Sequence, residues 1–114
     1  MQRYHRDCPF GSIQHIISRF VDREHRIDDA ARRGYLRRVG RIADRTDWGF
    51  LSYCVMSSHV HHGNIAGLAP ASSWLGPLNT GTAIALNRRQ ARLGPVFASR
   101  PTSIGCREEQ AARL

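Results

Sequence analysis

The chain has 114 residues, of which 41% are hydrophobic, enough for one compact domain and too few for two. No run of about 18 apolar residues exists, which argues against a membrane-spanning helix. The opening residues 1–11 lack the apolar core of a secretory signal. Three scattered cysteines, Cys8, Cys54 and Cys106, show neither a disulfide framework nor paired metal spacing and suit a reducing cytoplasm. The net charge is +8, and all 17 basic side chains are arginine. Arginine's planar fork grips phosphate oxygens in pairs, so the charge favours a polyanionic partner, although a GC-rich genome would also leave an arginine-only pool.

In chain order, residues 12–20 are short and β-branched, with Ile13, Ile16, Ile17 and Phe20 behind Pro9 and Gly11, and predict a largely buried strand. Residues 27–47 predict a helix. Asp28 or Asp29 caps its start, and Ala31, Tyr35, Val39 and Ile42 form one apolar face. Arg33, Arg37, Arg41 and Arg45 line the opposite face, which reads first as a solvated surface and second as a phosphate-contacting stripe. Residues 50–57 predict a second strand, and Ser57-Ser58 a turn. Residues 59–66 predict a third strand hairpinned to the second, weak in its back half at Gly63 and Asn64. Ser72 or Ser73 caps a second helix running to about Gln90, with Leu75, Leu78, Ala85 and Leu86 as apolar positions. Pro77 fits it only in the first turn or as a kink. A basic exit loop precedes a fourth strand over residues 96–104, whole or broken at Pro101, and a last helix begins near Arg107. This order predicts an α+β, ferredoxin-like antiparallel sheet with helices on one face.

The chemistry concentrates in His59-Val60-His61. Side chains alternate along a strand, so the two imidazoles share a face while Val60 points into the core. Two histidines suit an open site that polarises a phosphate rather than a closed structural one. His62 falls on the opposite face. His15 lacks a partner at useful spacing and reads as a core or edge histidine.

The run Tyr53-Cys54-Val55-Met56-Ser57-Ser58-His59-Val60-His61 resembles the strand-turn-strand signature of the HUH single-tyrosine transposases, in particular the REP-associated and insertion-sequence-200-like members. His15-Ile16-Ile17-Ser18-Arg19, Leu86-Asn87-Arg88-Arg89, Gly94-Pro95-Val96-Phe97 and Arg100 to Ile104 are similar to other family segments in order and spacing. Together these matches cover nearly the whole chain. The turn departs from the family's Pro-Asn, which is Ser57-Ser58 here, and the strand after the motif is polar where the family's is aliphatic.

The resemblance implies the HUH fold and a reaction in which a tyrosine attacks a phosphodiester of single-stranded DNA, forming a 5′-phosphotyrosine and freeing a 3′-hydroxyl. It implies a divalent metal, magnesium or manganese, on His59 and His61, and single-stranded or hairpin DNA as partner, held by Arg19, Arg88, Arg89, Arg92 and Arg100. Relatives suggest monomers or dimers. By the family's spacing the nucleophilic tyrosine and the third metal ligand fall just past Leu114. The expectation is therefore a single domain incomplete at its C-terminus, with no catalytic nucleophile within the chain, inactive as written. The alternative is a non-catalytic DNA-hairpin-binding module descended from such an enzyme. An RNA-binding sheet ranks last, because the predicted strands offer no clear pair of exposed aromatics for base stacking.

Overall fold

A computed structural model describes residues 9–21, 25–98 and 101–106. The elements are β1 (Ile13–Arg19), α1 (Asp29–Ala43), β2 (Gly49–Val55), β3 (His59–Ile65), α2 (Ser72–Gln90) and β4 (Thr102–Cys106). The strands form one antiparallel sheet in the order β2-β3-β1-β4, and both helices pack on one face of it through a shared core. This is the predicted α+β, ferredoxin-like arrangement, with β1 and β3 at the centre.

Period-two alternation produces the two faces of the sheet. Gln14, Ile16 and Ser18 of β1 and Val60, His62 and Asn64 of β3 are buried on the helix side. Ile16 and Val60 join Tyr35 and Val39 of α1 and Trp74, Leu75, Leu78 and Leu86 of α2 in one core. Phe50 meets Trp74 edge-on at 4.8 Å, and Trp48 lies 5.6 Å from the same ring. Trp48 Nε1 donates to the Ala69 carbonyl at 2.7 Å. The apolar positions expected for α2 omitted Trp74 and Thr82, both buried. Thr82 is tolerated there because its hydroxyl donates to the Leu78 carbonyl at 2.8 Å.

Several boundaries and placements differ from expectation. Helix α1 starts as expected, with Asp28 Oδ1 accepting the Ala31 N–H at 2.9 Å, but it closes at Ala43 rather than residue 47. Asp47 is recruited elsewhere: its carboxylate accepts the Leu68 N–H at 2.6 Å and holds the loop after β3. Strand β3 is regular through Ile65, including Gly63 and Asn64. A central strand is laddered on both sides, and Asn64 Nδ2 adds a bond to the Gly49 carbonyl at 3.0 Å.

Helix α2 starts without a side-chain cap, Ala71 standing at that position, and continues through Pro77 in its second turn. The region after it is broken, as the Pro101 alternative had it: Phe97 makes an isolated bridge to Phe20, and β4 begins only at Thr102. Tyr53 is 56% exposed because β2 is an edge strand. The last helix expected from residue 107 lies outside the described residues. No helix among the described residues is long and apolar enough to cross a membrane.

Candidate functional site

The open face of the sheet carries the histidine chemistry. Directly opposed residues of an antiparallel pair share a face. Arg19 is opposite His59, Ile17 opposite His61, and His15 opposite Gly63. On the other side Cys54 is opposite His61. Arg19, Ser58, His59 and His61 line one surface recess. The expectation that the two imidazoles share a side therefore holds, and their ring centroids are 4.8 Å apart, set edge-to-face. Val60 between them is fully buried, and His62 faces the core as expected.

Each of the two rings has its Nδ1 engaged. His59 Nδ1 meets the Ser58 hydroxyl at 3.0 Å. His61 Nδ1 meets His15 Nε2 at 2.8 Å, with the ring centroids 5.1 Å apart and the ring planes 25° from parallel. Among the described residues, the Nε2 atoms of His59 and His61 are left over as ligand atoms. Burial lowers the pKa of His61, with further lowering from His59, His15 and Arg19, and burial lowers that of His15. These effects favour the neutral imidazole, the form that donates a lone pair to a metal. The pair therefore fits an open two-histidine metal site. Among the described residues, no group of three or more His, Cys, Asp or Glu side chains is arranged to hold an ion, so the two imidazoles are a partial ligand set.

The turn that presents His59 is tied down from several directions. Phe20 N–H donates to the Ser58 carbonyl at 3.1 Å, and Arg26 N–H to the Ser57 carbonyl at 3.1 Å. His25 Nδ1 meets the Ser57 hydroxyl at 2.8 Å, and Arg32 Nε donates to the Val55 carbonyl at 2.9 Å. Arg26 is buried. Its guanidinium donates to Gln90 Oε1 at 2.8 Å and Asn87 Oδ1 at 3.0 Å, which joins the turn to the end of α2.

This latch sets the basic C-terminal end of α2 beside the turn preceding the histidines. Arg88 and Arg92 are exposed there. Arg89 is exposed too, but its guanidinium is paired with both carboxylate oxygens of Asp28, which occupies the fork expected to hold DNA. Arg19 is the predicted arginine that lies at the histidines themselves. Arg100 lies outside the described residues.

Behind the site, His62 Nε2 bonds the Tyr35 hydroxyl at 2.7 Å, while His62 Nδ1 is buried without a partner among the described residues. Burial, and secondarily His61, lowers the His62 pKa to about 4, and burial raises that of Tyr35. Neither Tyr35 nor Tyr53 offers a hydroxyl to the open face. Tyr35 is buried in the core, and Tyr53 pairs with His62 and so points to the helix side. Sequence reasoning missed the role of His15, because the spacing of 46 residues to His61 becomes a contact only once β1 and β3 are in register. It also missed Ser58, which looked like mere turn filler.

No family model and no curated protein sequence matches the chain. Among solved structures, a REP-associated tyrosine transposase bound to a REP hairpin superposes with a TM-score of 0.77 at 14% identity, covering 99% of this chain and 67% of that one. A protein of Deinococcus radiodurans R1, provisionally described as a transposase, superposes with a TM-score of 0.67 at 15% identity, covering 89% of this chain and 83% of that one. Nearly the whole chain therefore carries the fold seen in these transposase structures, with the His59-Val60-His61 strand at the centre of its sheet.

Proposed function

We propose that the chain is a member of the HUH single-tyrosine transposases and handles single-stranded or hairpin DNA on the open face of its sheet. The observation that carries this reading is the pairing of His59 and His61 on one face of β3, each with Nδ1 hydrogen-bonded and Nε2 left over, beside Arg19. The shared fold with a transposase bound to a REP hairpin supports it. His59 and His61 would hold a divalent ion, magnesium or manganese, which when bound polarises a DNA phosphate. Arg19 would pair with phosphate oxygens next to it. Arg88 and Arg92 would extend the contact along the backbone, and Arg89 would join only by releasing Asp28.

The second reading, a DNA-hairpin-binding module without cleavage, is favoured by the tyrosines: neither of those described faces the histidines. An RNA-stacking sheet gains nothing, since the imidazole face of the described strands presents no Phe, Tyr or Trp.

The test is a hairpin single-stranded DNA carrying a labelled flank, incubated with the chain and manganese. Binding that weakens steeply with salt is expected. Replacing both His59 and His61 with alanine should remove manganese binding and leave most of the salt-sensitive DNA affinity. Loss of all DNA affinity at unchanged fold stability would refute this division of roles. A covalent protein–DNA adduct would eliminate the non-cleaving alternative.

A further inference from the structure

We infer that His15 is a positioning residue for His61: it accepts the His61 Nδ1 proton and so keeps the Nε2 lone pair of His61 free to take a metal. This rests on the metal-site reading above, and it concerns a residue whose sequence context suggested only a packed or edge histidine.

The geometry is specific. His15 and His61 are diagonal neighbours on adjacent central strands, since His61 is opposite Ile17 and His15 opposite Gly63. Diagonal positions are within reach of ring side chains. The Nε2–Nδ1 separation of 2.8 Å is a full hydrogen bond.

Two neutral imidazoles sharing one bond have two arrangements. In one, His15 Nε2–H donates to His61 Nδ1. His61 then carries its proton on Nε2 and has no lone pair left for a metal. In the other, His61 Nδ1–H donates to His15 Nε2, and His61 Nε2 is a ligand atom. Metal binding through His61 Nε2 selects the second arrangement, and His15 then carries its own proton on Nδ1. The atom in contact on His61 is Nδ1, the correct one for a supporting partner. The ring nitrogen opposite a metal is commonly held by such an acceptor, usually a carboxylate or carbonyl, and its loss costs 10–100-fold in metal affinity. Here a second imidazole takes that place. His59 has the adjacent Ser58 hydroxyl instead, a rotor that accepts or donates as required. His15 is held in a central strand, so its removal is expected to matter more than that of Ser58.

The experiment uses the full chain and three variants. His15→Phe keeps a ring of similar size without an acceptor, His15→Gln retains an amide acceptor, and Ser58→Ala is the comparison. Long-range proton–nitrogen NMR of the metal-free protein reads the His61 tautomer. The wild type should show the proton on Nδ1, and His15→Phe should shift it toward Nε2. Manganese titration should give an affinity on the order of 10–100-fold weaker for His15→Phe, with partial recovery in His15→Gln and a smaller loss in Ser58→Ala. Thermal unfolding of the same samples separates a positioning effect from loss of fold. A wild-type His61 protonated on Nε2 overturns the inference, as does wild-type manganese affinity in a folded His15→Phe. If the wild type binds no manganese, the metal reading fails, while the tautomer spectra still decide whether His15 orders His61.

Discussion

Replacing Tyr35 with phenylalanine removes one oxygen atom from the best-buried part of the molecule. Tyr35 is 0% and His62 1% exposed, and the bond between hydroxyl and Nε2 is 2.7 Å long. The other ring nitrogen of His62 already lacks a partner among the described residues, so the substitution strands both. Leaving a buried polar atom unsatisfied costs about 1–3 kcal/mol, while the ring itself and its contact with His62 persist. For a domain of this size, a loss of about 2 kcal/mol lowers Tm by roughly 10 °C. Urea unfolding followed through Trp48 and Trp74 fluorescence measures it directly, with an unchanged m-value expected. His62→Leu alone and the Tyr35→Phe/His62→Leu double variant complete the cycle. The double variant should lose clearly less than the sum of the singles, because it removes both partners at once. A Tyr35→Phe protein as stable as wild type would refute the reasoning.

Four further outcomes are expected. Because the His62 pKa falls to about 4 in the folded chain, the unfolded chain binds the proton first on acidification. The stability present above pH 6.5 is then lost toward pH 4, by up to about 3 kcal/mol, and His62→Leu should flatten this limb in unfolding measured at several pH values. Arg26→Met removes a buried guanidinium that bonds Gln90 and Asn87. It should cost about 2–4 kcal/mol in denaturant unfolding and raise hydrogen exchange in the 56–58 turn. Gly67→Ala would bring a Cβ within 2.2 Å of Asp47 Oδ1 and 2.8 Å of its backbone carbonyl carbon, so a loss of about 1–3 kcal/mol is expected. Ala91 sits at φ 51° where α2 ends, with Arg92 N–H bonding the Asn87 carbonyl at 2.9 Å. Ala91→Gly should therefore raise stability by roughly 1 kcal/mol.

The parts of this fold legible in the sequence are those governed by local periodicity. The Tyr35 and Val39 face of α1, the Asp28 cap and the hairpin around Ser57-Ser58 needed only spacing and residue type. The split of His59 and His61 from Val60 and His62 followed from strand alternation. What stayed hidden depends on partners distant in sequence. Asn64 looked like a strand breaker because its bond to the Gly49 carbonyl and its place in a doubly paired strand are tertiary facts. His15 looked idle because its partner lies across the sheet. Arg89 looked like a free phosphate ligand, since nothing local marks Asp28 as its partner 61 residues away. Trp74 was passed over in a helix with little amphipathic contrast, although it touches Phe50, Trp48 and His62.

Three histidines in four residues pose a register problem that alternation alone does not solve. Sliding β3 by one position would bring Val60 and His62 to the open face and send His59 and His61 inward. A strand with an aliphatic helix-side face would resist that slip mainly through hydrophobic burial. Here two of the three helix-side residues are polar, and each has one specific acceptor or donor: His62 at the Tyr35 hydroxyl and Asn64 at the Gly49 carbonyl. A slipped strand would forfeit both bonds and would also bury two imidazoles that have no partners in the core. The polar interior of β3, unfavourable by composition, thereby ties the sheet to the one register that sets His59 beside Arg19 and His61 within reach of His15. The arrangement of the open face is on this argument fixed from behind it. Loss of the His15–His61 contact in a folded Tyr35→Phe/Asn64→Val protein would support that dependence, and an undisturbed contact would show that the ladder alone sets the register.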